Sequence, residues 1–302
     1  MIEATNLTKR YGAKTAVNDI SFSLQPGQVI GFLGPNGAGK STTMRMLMGL
    51  DRPTSGSITV MGKPYAEHRN PLSVAGALLD AKGVHPGRSA RSHLRALAAT
   101  HSISDTRVNK VLELTGLESV AHKRIGGFSL GMGQRLGIAT ALLGDPQVLV
   151  LDEPVNGLDP DGVLWVREFV RAFAAEGRTV LLSSHLMSEM AQTADHVLVL
   201  GRGALIADAP IAQLIAAGGG QRTVRVVSPQ SIKLGELLRA RGARSTQQSD
   251  CDELLLDGIT AAEVGEVAAA NGIVLHALST DAASLEEAYL ELTRGELEYA
   301  AA

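Results

Sequence analysis

The stretch QVIGFLGPNGAGKSTTMRML, residues 28–47, indicates the fold because it reads as an apolar strand, a glycine-rich loop and a helix in direct succession. Within it, GPNGAGKST matches the P-loop pattern, with Gly34, Gly39, Lys40 and Ser41 at the fixed positions. Glycines there let backbone N–H groups turn toward phosphate oxygens, and the start of the helix adds a positive end. A glycine-rich turn with an accidental lysine is the alternative, and the flanking strand and helix argue against it.

The loop residues are expected to share the work of holding a nucleotide. Lys40 is expected to reach the β- and γ-phosphates, and Ser41 to offer its hydroxyl to Mg²⁺. The predicted phosphate-binding residues are Gly34, Pro35, Asn36, Gly37, Ala38, Gly39, Lys40, Ser41 and Thr42.

The stretch QVLVLDEP, residues 147–154, places two acids at the end of an apolar strand. Because strand side chains alternate between faces, Asp152 and Glu153 are expected to point in different directions. Asp152 fits a partner for Mg²⁺, held directly or through water. Glu153 fits a general base that polarises the attacking water. A solvated strand end is the common alternative for one acid, whereas a pair in a chain with a P-loop favours the catalytic interpretation.

The stretch FSLGMGQR, residues 128–135, opens a predicted helix and allows two interpretations. It could be a plain turn capped by Ser129. It could also be a second phosphate-contacting loop, because a helix start attracts anions.

The composition is that of an ordinary α/β protein, with 302 residues, 45% hydrophobic residues and a formal net charge of −3. That charge argues against a nucleic-acid binder that relies on bulk positive charge. The single cysteine, Cys251, cannot form an internal disulfide, which fits a reducing compartment. Residues 1–12 carry charges where a signal peptide would be apolar, and no apolar run is long enough to span a bilayer.

Hydrophobic periodicity divides the first two thirds of the chain. Alternating residues with turn signals at Gly12 and Gly27 predict short strands before the P-loop. Residues about 83–127 show helical periods and predict a helical insert. Strand patterns return at QVLVLDEP and RTVLLSSH around a helix at about 162–176, which predicts a mainly parallel sheet.

Three consecutive glycines near residue 219 predict a flexible linker over residues 217–221. The sequence thus predicts one domain over residues 1–216 and a small α+β domain of ferredoxin-like order over residues 222–302. Its last strand is predicted at IVLHALS, residues 273–279. Capping boxes are predicted at Thr260 with Glu263 and at Ser284 with Glu287. The acids of this domain are scattered along its sequence, which favours a structural or regulatory appendage.

Five motifs, GPNGAGKST, FSLGMGQR, VLVLDEP, NGLDP and SSH, occur in that order. In combination they resemble those of an ATP-binding-cassette (ABC) transporter ATPase subunit, over about residues 1–216. The resemblance implies an α/β fold with a RecA-like P-loop core, an antiparallel β-subdomain and a helical subdomain. It also implies ATP and Mg²⁺ as ligands. The ending SLEEAYLELT, residues 284–293, is similar to that of bacterial exporter ATPases of the drug- and antibiotic-resistance type.

In this family the loop at FSLGMGQR, the signature loop, reads roughly L-S-G-G-Q-x-Q-R. The resemblance implies that Ser129 and the Gly131 backbone contact the γ-phosphate held by a second cassette. Leu130 stands where the family has glycine and Met132 where it has glutamine, so this loop departs from the family pattern at two positions.

Four further positions follow from the resemblance. Tyr11 is implied to stack on adenine, with a core aromatic as the alternative. Asp159, in NGLDP, matches a loop that communicates across the dimer, and His185 matches a histidine that hydrogen-bonds the γ-phosphate. Asp80 stands where the family commonly has a glutamine that meets Mg²⁺; an aspartate there can reach Mg²⁺ through water, and a surface acid is the alternative.

The sequence therefore indicates an ATPase that drives a separate membrane permease. The permease is expected to export drug-like or other small molecules. Two copies are expected to sandwich two ATP molecules as a peripheral homodimer on the cytoplasmic face of the membrane. Two alternatives stay open. One is a soluble ABC ATPase without a transport role, and the other is a regulatory module that binds ATP without turnover.

Overall fold

The computed structural model describes residues 1–80, 83–184, 186–218, 223–247, 252–281 and 284–293. The predicted switch histidine His185, Cys251 and residues 219–221 of the predicted linker lie outside the described residues. The chain divides into two compact units, built on Met1–Ile211 and Ala212–Leu292. The predicted domain end at residue 216 falls inside a helix rather than in a loop.

The first unit alternates strands and helices along the chain. Its strands are β1 (Ile2–Tyr11), β2 (Lys14–Leu24), β3 (Val29–Leu33), β4 (Ser55–Val60), β5 (Ala75–Leu78), β6 (Val148–Leu151), β7 (Thr179–Ser183), β8 (His196–Gly201) and β9 (Ala204–Pro210). The helices are α1 (Lys40–Leu47), α2 (Pro71–Val74), α3 (Ala90–Thr100), α4 (Asp105–Leu114), α5 (Leu130–Ala141), α6 (Pro160–Ala175) and α7 (Met187–Thr193). Helix α8 (Ile211–Gly218) begins at the last residue of this unit and otherwise belongs to the second. Short 3₁₀ helices lie at Tyr65–Glu67, Glu118–Val120 and Ile125–Gly127.

A six-stranded sheet in the order β5-β6-β7-β3-β8-β9 carries the predicted motifs. Its strands pair in parallel except for β9, which is antiparallel to β8. Strands β3, β6 and β7 are buried along their whole length, as expected for parallel strands covered on both faces. Because these three are neighbours, the P-loop after β3, the acids after β6 and the segment after β7 meet at one edge of the sheet.

An antiparallel sheet in the order β2-β1-β4 packs against this core. Its inward residues join those of β3 and α1 in one hydrophobic cluster, in which the rings of Phe22 and Phe32 lie 6.3 Å apart, edge to face. This arrangement holds the β1–β2 hairpin beside the P-loop.

The predicted helical insert is confirmed as α3 and α4, which pack with α5. Serines cap the three helices, because Ser89, Ser104 and Ser129 each accept a hydrogen bond from the backbone N–H three residues later. The signature loop therefore lies where the insert returns to the core.

The second unit contains β10 (Thr223–Val227), α9 (Ser231–Arg239), β11 (Arg244–Gln247), β12 (Glu253–Asp257), α10 (Ala261–Ala270), β13 (Ala277–Asp281) and α11 (Leu285–Thr293). Its four strands form an antiparallel sheet in the order β11-β12-β10-β13. Both predicted capping boxes are present, at Thr260 and at Ser284. The ferredoxin-like description of this unit stays a prediction.

The predicted strand at residues 273–279 is wrong in its limits, because β13 begins at Ala277. Ile273 is buried, but its backbone N–H donates to Ala268 O at 2.9 Å and closes the end of α10. The apolar start of IVLHALS thus covers a helix end instead of extending a strand.

Candidate active site

The P-loop adopts a backbone that only glycine fits at two positions. Gly34 has a φ of 151° and Gly39 a φ of 107°. A Cβ added at Gly34 would lie 2.5 Å from Leu200 O, and one added at Gly39 would lie 2.6 Å from Ala16 O. Among the described residues, no side chain caps α1 at Gly39. The first N–H groups of α1 are therefore available to bind an anion.

Lys40 is held inside its own loop. Its Nζ donates to Gly34 O at 2.6 Å and to Pro35 O at 3.2 Å, and the residue is only 7% exposed. Burial lowers the pKa of Lys40 from its ordinary value of 10.5, and the negative charges of Glu153 and Asp152 partly oppose that shift. The geometry thus places one buried ammonium group beside two carboxylates.

A cavity of about 510 Å³ joins the loop to the acids, a volume typical of small-molecule sites. Its lining contains most of the predicted residues, namely Tyr11, Asn36, Gly37, Ala38, Gly39, Lys40, Ser41, Thr42, Asp152 and Glu153. Lys14, Ala16 and Leu79 also line it, and the sequence did not single them out. Lys14 could have been found from the hairpin, because it pairs with Tyr11 across β1 and β2.

Ser183, at the end of β7, connects the two acids. Its Oγ donates to Asp152 Oδ1 at 2.6 Å and accepts the backbone N–H of Glu153 at 2.9 Å. Glu153 has a φ of 49°, which is uncommon for a residue other than glycine and is found preferentially at functional sites. Ser183 is therefore a positioning residue for the segment that carries both acids. The motif SSH, interpreted only for its histidine, does not reveal this role, and the different directions of the two acids stay a prediction.

Replacing Ser183 by alanine is expected to lower the turnover number for ATP by about tenfold or more, since such supporting hydrogen bonds typically contribute about 10–100-fold. It leaves the Glu153 N–H without its partner, which costs about 1–3 kcal/mol of folding stability. Phosphate release and thermal unfolding would measure the two effects. The matched control is Ser184→Ala, because Ser184 Oγ instead accepts from Leu186 N at 3.0 Å. Equal turnover for both variants would remove Ser183 from this role.

Tyr11 lies at the rim of the cavity and not in the core, since it is 47% exposed. Its hydroxyl donates to Asp51 Oδ2 at 3.0 Å, and the same oxygen accepts from Arg45 Nε at 2.7 Å. Lys9 Nζ lies 4.9 Å from the ring centroid. The core alternative for Tyr11 is therefore wrong, while stacking on adenine stays a prediction.

The cavity lining, as far as the structure describes the chain, does not include Ser129, Gly131 or Asp159. The Met132 N–H donates to Ser129 Oγ at 3.2 Å, so Ser129 caps α5. Asp159 caps α6 by accepting the Gly162 N–H at 3.0 Å. The capping interpretation of Ser129 is thus correct in this chain, and its hydroxyl hydrogen is not used by that bond. Asp80 is exposed beside the lining residue Leu79.

The described residues include no helix with both the length and the apolar character needed to cross a bilayer.

The site has the donor set that Mg²⁺ prefers. Ser41 offers a hydroxyl and Asp152 a carboxylate, both hard oxygen ligands on the same cavity. The start of α1, which has no side-chain cap, and the ammonium group of Lys40 are suited to bind phosphate oxygens. The residues therefore fit a nucleotide with its magnesium ion.

Comparison with known proteins gives two matching families. Residues 17–156 match the family described as ABC transporter. Residues 222–286 match a domain of unknown function (DUF8746).

Two curated relatives and one solved structure extend the match. The bacitracin transport ATP-binding protein BcrA of Bacillus licheniformis is 41% identical over 217 residues, 71% of this chain and 71% of that protein. The lantibiotic transport ATP-binding protein SrtF of Streptococcus pyogenes is 37% identical over 206 residues, 68% of this chain and 89% of that protein. A structure described as the ATP binding subunit of an ABC transporter is 26% identical, with a TM-score of 0.65 over 72% of this chain and 92% of the other.

Proposed function

Because this chain belongs to the ABC transporter family of ATP-binding subunits, we propose that it hydrolyses ATP to drive export through a separate membrane permease. One observation carries the proposal: the same cavity is lined by Lys40, Ser41, Asp152 and Glu153. The relatives named for bacitracin and lantibiotic transport support a drug-like or other small molecule as cargo.

The residues around the cavity divide the chemistry of hydrolysis. Lys40 and the backbone of residues Gly34–Thr42 hold the phosphates, while Ser41 and Asp152 hold Mg²⁺. When bound, the magnesium ion supplies positive charge against the phosphate oxygens. Glu153 orients the attacking water and accepts its proton, a role supported by its place on the cavity beside Lys40 and Asp152. By resemblance to the family, Asp80 is assigned a further contact to magnesium, and His185, which lies outside the described residues, a contact to the γ-phosphate.

The signature loop serves a second subunit. Ser129 and Gly131 lie apart from the cavity of their own chain, while the Ser129 hydroxyl and the start of α5 are suited to an anion. Two copies therefore face each other across two ATP molecules, each supplying its P-loop to one and its signature loop to the other. Asp159 lies between these sites, and Tyr11 stacks on adenine.

The proposed domain limits are residues 1–216 for the nucleotide-binding domain and residues 222–302 for an appended domain, as the separate family match over residues 222–286 supports. The structural division falls five residues before the first of these limits, after Ile211. The homodimer sits at the cytoplasmic face of the membrane and docks a polytopic permease.

Replacing Ser129 by arginine is expected to abolish the ATP-dependent dimer while each monomer still binds ATP. The arginine fills the space that the partner's γ-phosphate must enter, although the P-loop of the same chain is unchanged. Size-exclusion chromatography with ATP on a Glu153→Gln background would measure dimer formation, and calorimetry would measure nucleotide binding.

The matched control is Ser104→Arg, which places the same side chain at another exposed helix cap, that of α4. This variant is expected to dimerise as the parent does. An ATP-stabilised dimer of the Ser129→Arg chain would contradict the assignment of the signature loop to the partner's nucleotide.

A further inference from the structure

The loop of residues 49–54, which connects α1 to β4, is hydrogen-bonded to the end of β1. The Thr54 N–H donates to Thr8 O at 2.8 Å. The Arg10 N–H donates in turn to Thr54 Oγ1 at 3.0 Å. These bonds fix the backbone of β1 just before Tyr11, its last residue.

The same loop is also bonded to helix α1. The N–H groups of Leu50 and Asp51 donate to Arg45 O at 2.9 Å and 3.3 Å. The Arg45 side chain returns to the loop, where its Nε donates to Asp51 Oδ2 at 2.7 Å. Because α1 begins at Lys40, the loop connects the helix of the P-loop to the strand that carries Tyr11.

One carboxylate oxygen of Asp51 is shared by the two elements. Asp51 Oδ2 accepts from Arg45 Nε on α1 and from the Tyr11 hydroxyl on β1. The hydrogen bond from Arg45 lowers the pKa of Asp51, so the carboxylate is ionised at neutral pH and accepts both donors. Since hydrogen bonds to an ionised acceptor are the stronger kind, the Tyr11 ring is held in place at its hydroxyl end.

Lys9 occupies one face of the Tyr11 ring. Its Nζ lies 4.9 Å from the ring centroid and donates to Arg52 O at 2.6 Å, so the ammonium group is itself held in position. A base that stacked on this face would have to displace the ammonium group. The ring therefore offers its opposite face to a planar ligand.

These contacts add little to the stability of the fold. The Arg45 side chain is half-exposed, and ion pairs at such exposed positions contribute little to folding. Their effect is on the position of an aromatic ring that lines the cavity. A side chain that is already ordered loses less conformational freedom when a ligand packs on it, which favours binding.

We infer that Asp51 is a positioning residue for the nucleotide base, because it holds the Tyr11 ring at a fixed place relative to α1. This role rests on the proposed function, in which Tyr11 stacks on adenine while the P-loop holds the phosphates. Lys9 determines which face of the ring the base meets. Loss of Asp51 is therefore expected to weaken the part of nucleotide binding that depends on the base and to leave the phosphate part unchanged.

Two ligands separate these parts of binding in the full-length chain. Asp51→Ala is expected to raise the dissociation constant of ATP with Mg²⁺ by about 2–10-fold, the equivalent of ordering one side chain on binding. The inhibition constant of inorganic tripolyphosphate, which has no base, is expected to stay within about twofold. KM for ATP rises with the dissociation constant while kcat stays within about twofold, since the change affects binding alone. Equal weakening of ATP and tripolyphosphate would overturn the inference, as would wild-type ATP affinity.

Changes to the ring test the contact itself. Tyr11→Phe removes the hydroxyl and keeps the stacking ring, so it is expected to weaken ATP binding as much as Asp51→Ala does. In the double variant the two losses are not expected to add, because both changes remove the same hydrogen bond. Additive losses would contradict the role of Asp51. The matched control is Asp105→Ala, which removes another exposed aspartate from an arginine, Arg95, and is expected to bind ATP as wild type does.

Tyr11→Ala distinguishes a failure of this role from a failure of the proposed function. It is expected to weaken ATP binding more than Tyr11→Phe does and to leave inhibition by tripolyphosphate unchanged. Wild-type ATP affinity in Tyr11→Ala would overturn the stacking of adenine on Tyr11, and the role of Asp51 with it. Weakened binding in Tyr11→Ala together with wild-type affinity in Asp51→Ala would overturn the role of Asp51 alone.

Discussion

Replacing Glu153 by glutamine is expected to leave ATP binding intact and to lower turnover by about 10²–10⁴-fold, the usual contribution of a general base. The amide keeps the shape of the side chain and cannot take a proton from water. The backbone bond from Glu153 N to Ser183 Oγ is unaffected by the change, so Asp152 keeps its position. Phosphate release under saturating ATP would measure turnover, and calorimetry would measure binding.

The same variant is also expected to accumulate as an ATP-bound dimer, because the step that opens the sandwich is blocked. The matched control is Glu168→Gln, which makes the same change on the exposed surface of α6. Turnover within about twofold of wild type in Glu153→Gln would remove Glu153 from the role of base.

Replacing Lys40 by alanine is expected to weaken ATP binding by about 30-fold to several thousandfold. Truncating one member of a buried, hydrogen-bonded charge pair typically costs about 2–5 kcal/mol, which corresponds to that range of affinity. Lys40 meets the condition because it is buried and already oriented by the carbonyls of Gly34 and Pro35. Isothermal titration with ATP and Mg²⁺ would measure the loss.

Lys14 supplies the matched control, since it lines the same cavity from an exposed position. Lys14→Ala is expected to have a much smaller effect, because an exposed charge is screened by solvent and salt. Thermal unfolding checks that Lys40→Ala remains folded. Nucleotide affinity equal to wild type in folded Lys40→Ala would refute the phosphate-binding role.

The strand–loop–helix around Lys40 and the acids after β6 could be predicted because each is a continuous local pattern. Ser183 could not, since its partnership with Asp152 depends on the pairing of β6 with β7, in which Leu151 lies opposite Leu182. The register of strands so far apart is not set by any local signal. Sequence alone likewise placed the cavity contact at Asp80, whereas its neighbour Leu79 contributes to the lining.

Helix caps show a different limit of sequence reasoning. The sequence predicts a contact of Ser129 with the partner's γ-phosphate and a role of Asp159 in communication across the dimer, and in the folded chain each also caps the first turn of a helix. Capping residues and phosphate-contacting residues are drawn from the same small polar set at the same helix ends. The pattern around Ser129 therefore indicates both uses; the structure shows the cap, and the phosphate contact stays a prediction.

The order of strands in the central sheet has a consequence for synthesis of the chain. Strand β3 pairs with β7 and β8, and Val29 lies opposite Val180, so about 150 residues must be added before β3 gains a neighbour. At roughly 5–20 residues per second, that delay is on the order of 10–30 s on the ribosome. Throughout it, the entirely apolar segment VIGFL has unpaired backbone groups on both edges. The strand that presents the P-loop thus waits longer for a native neighbour than any other strand of this sheet, and it remains an apolar edge during that time.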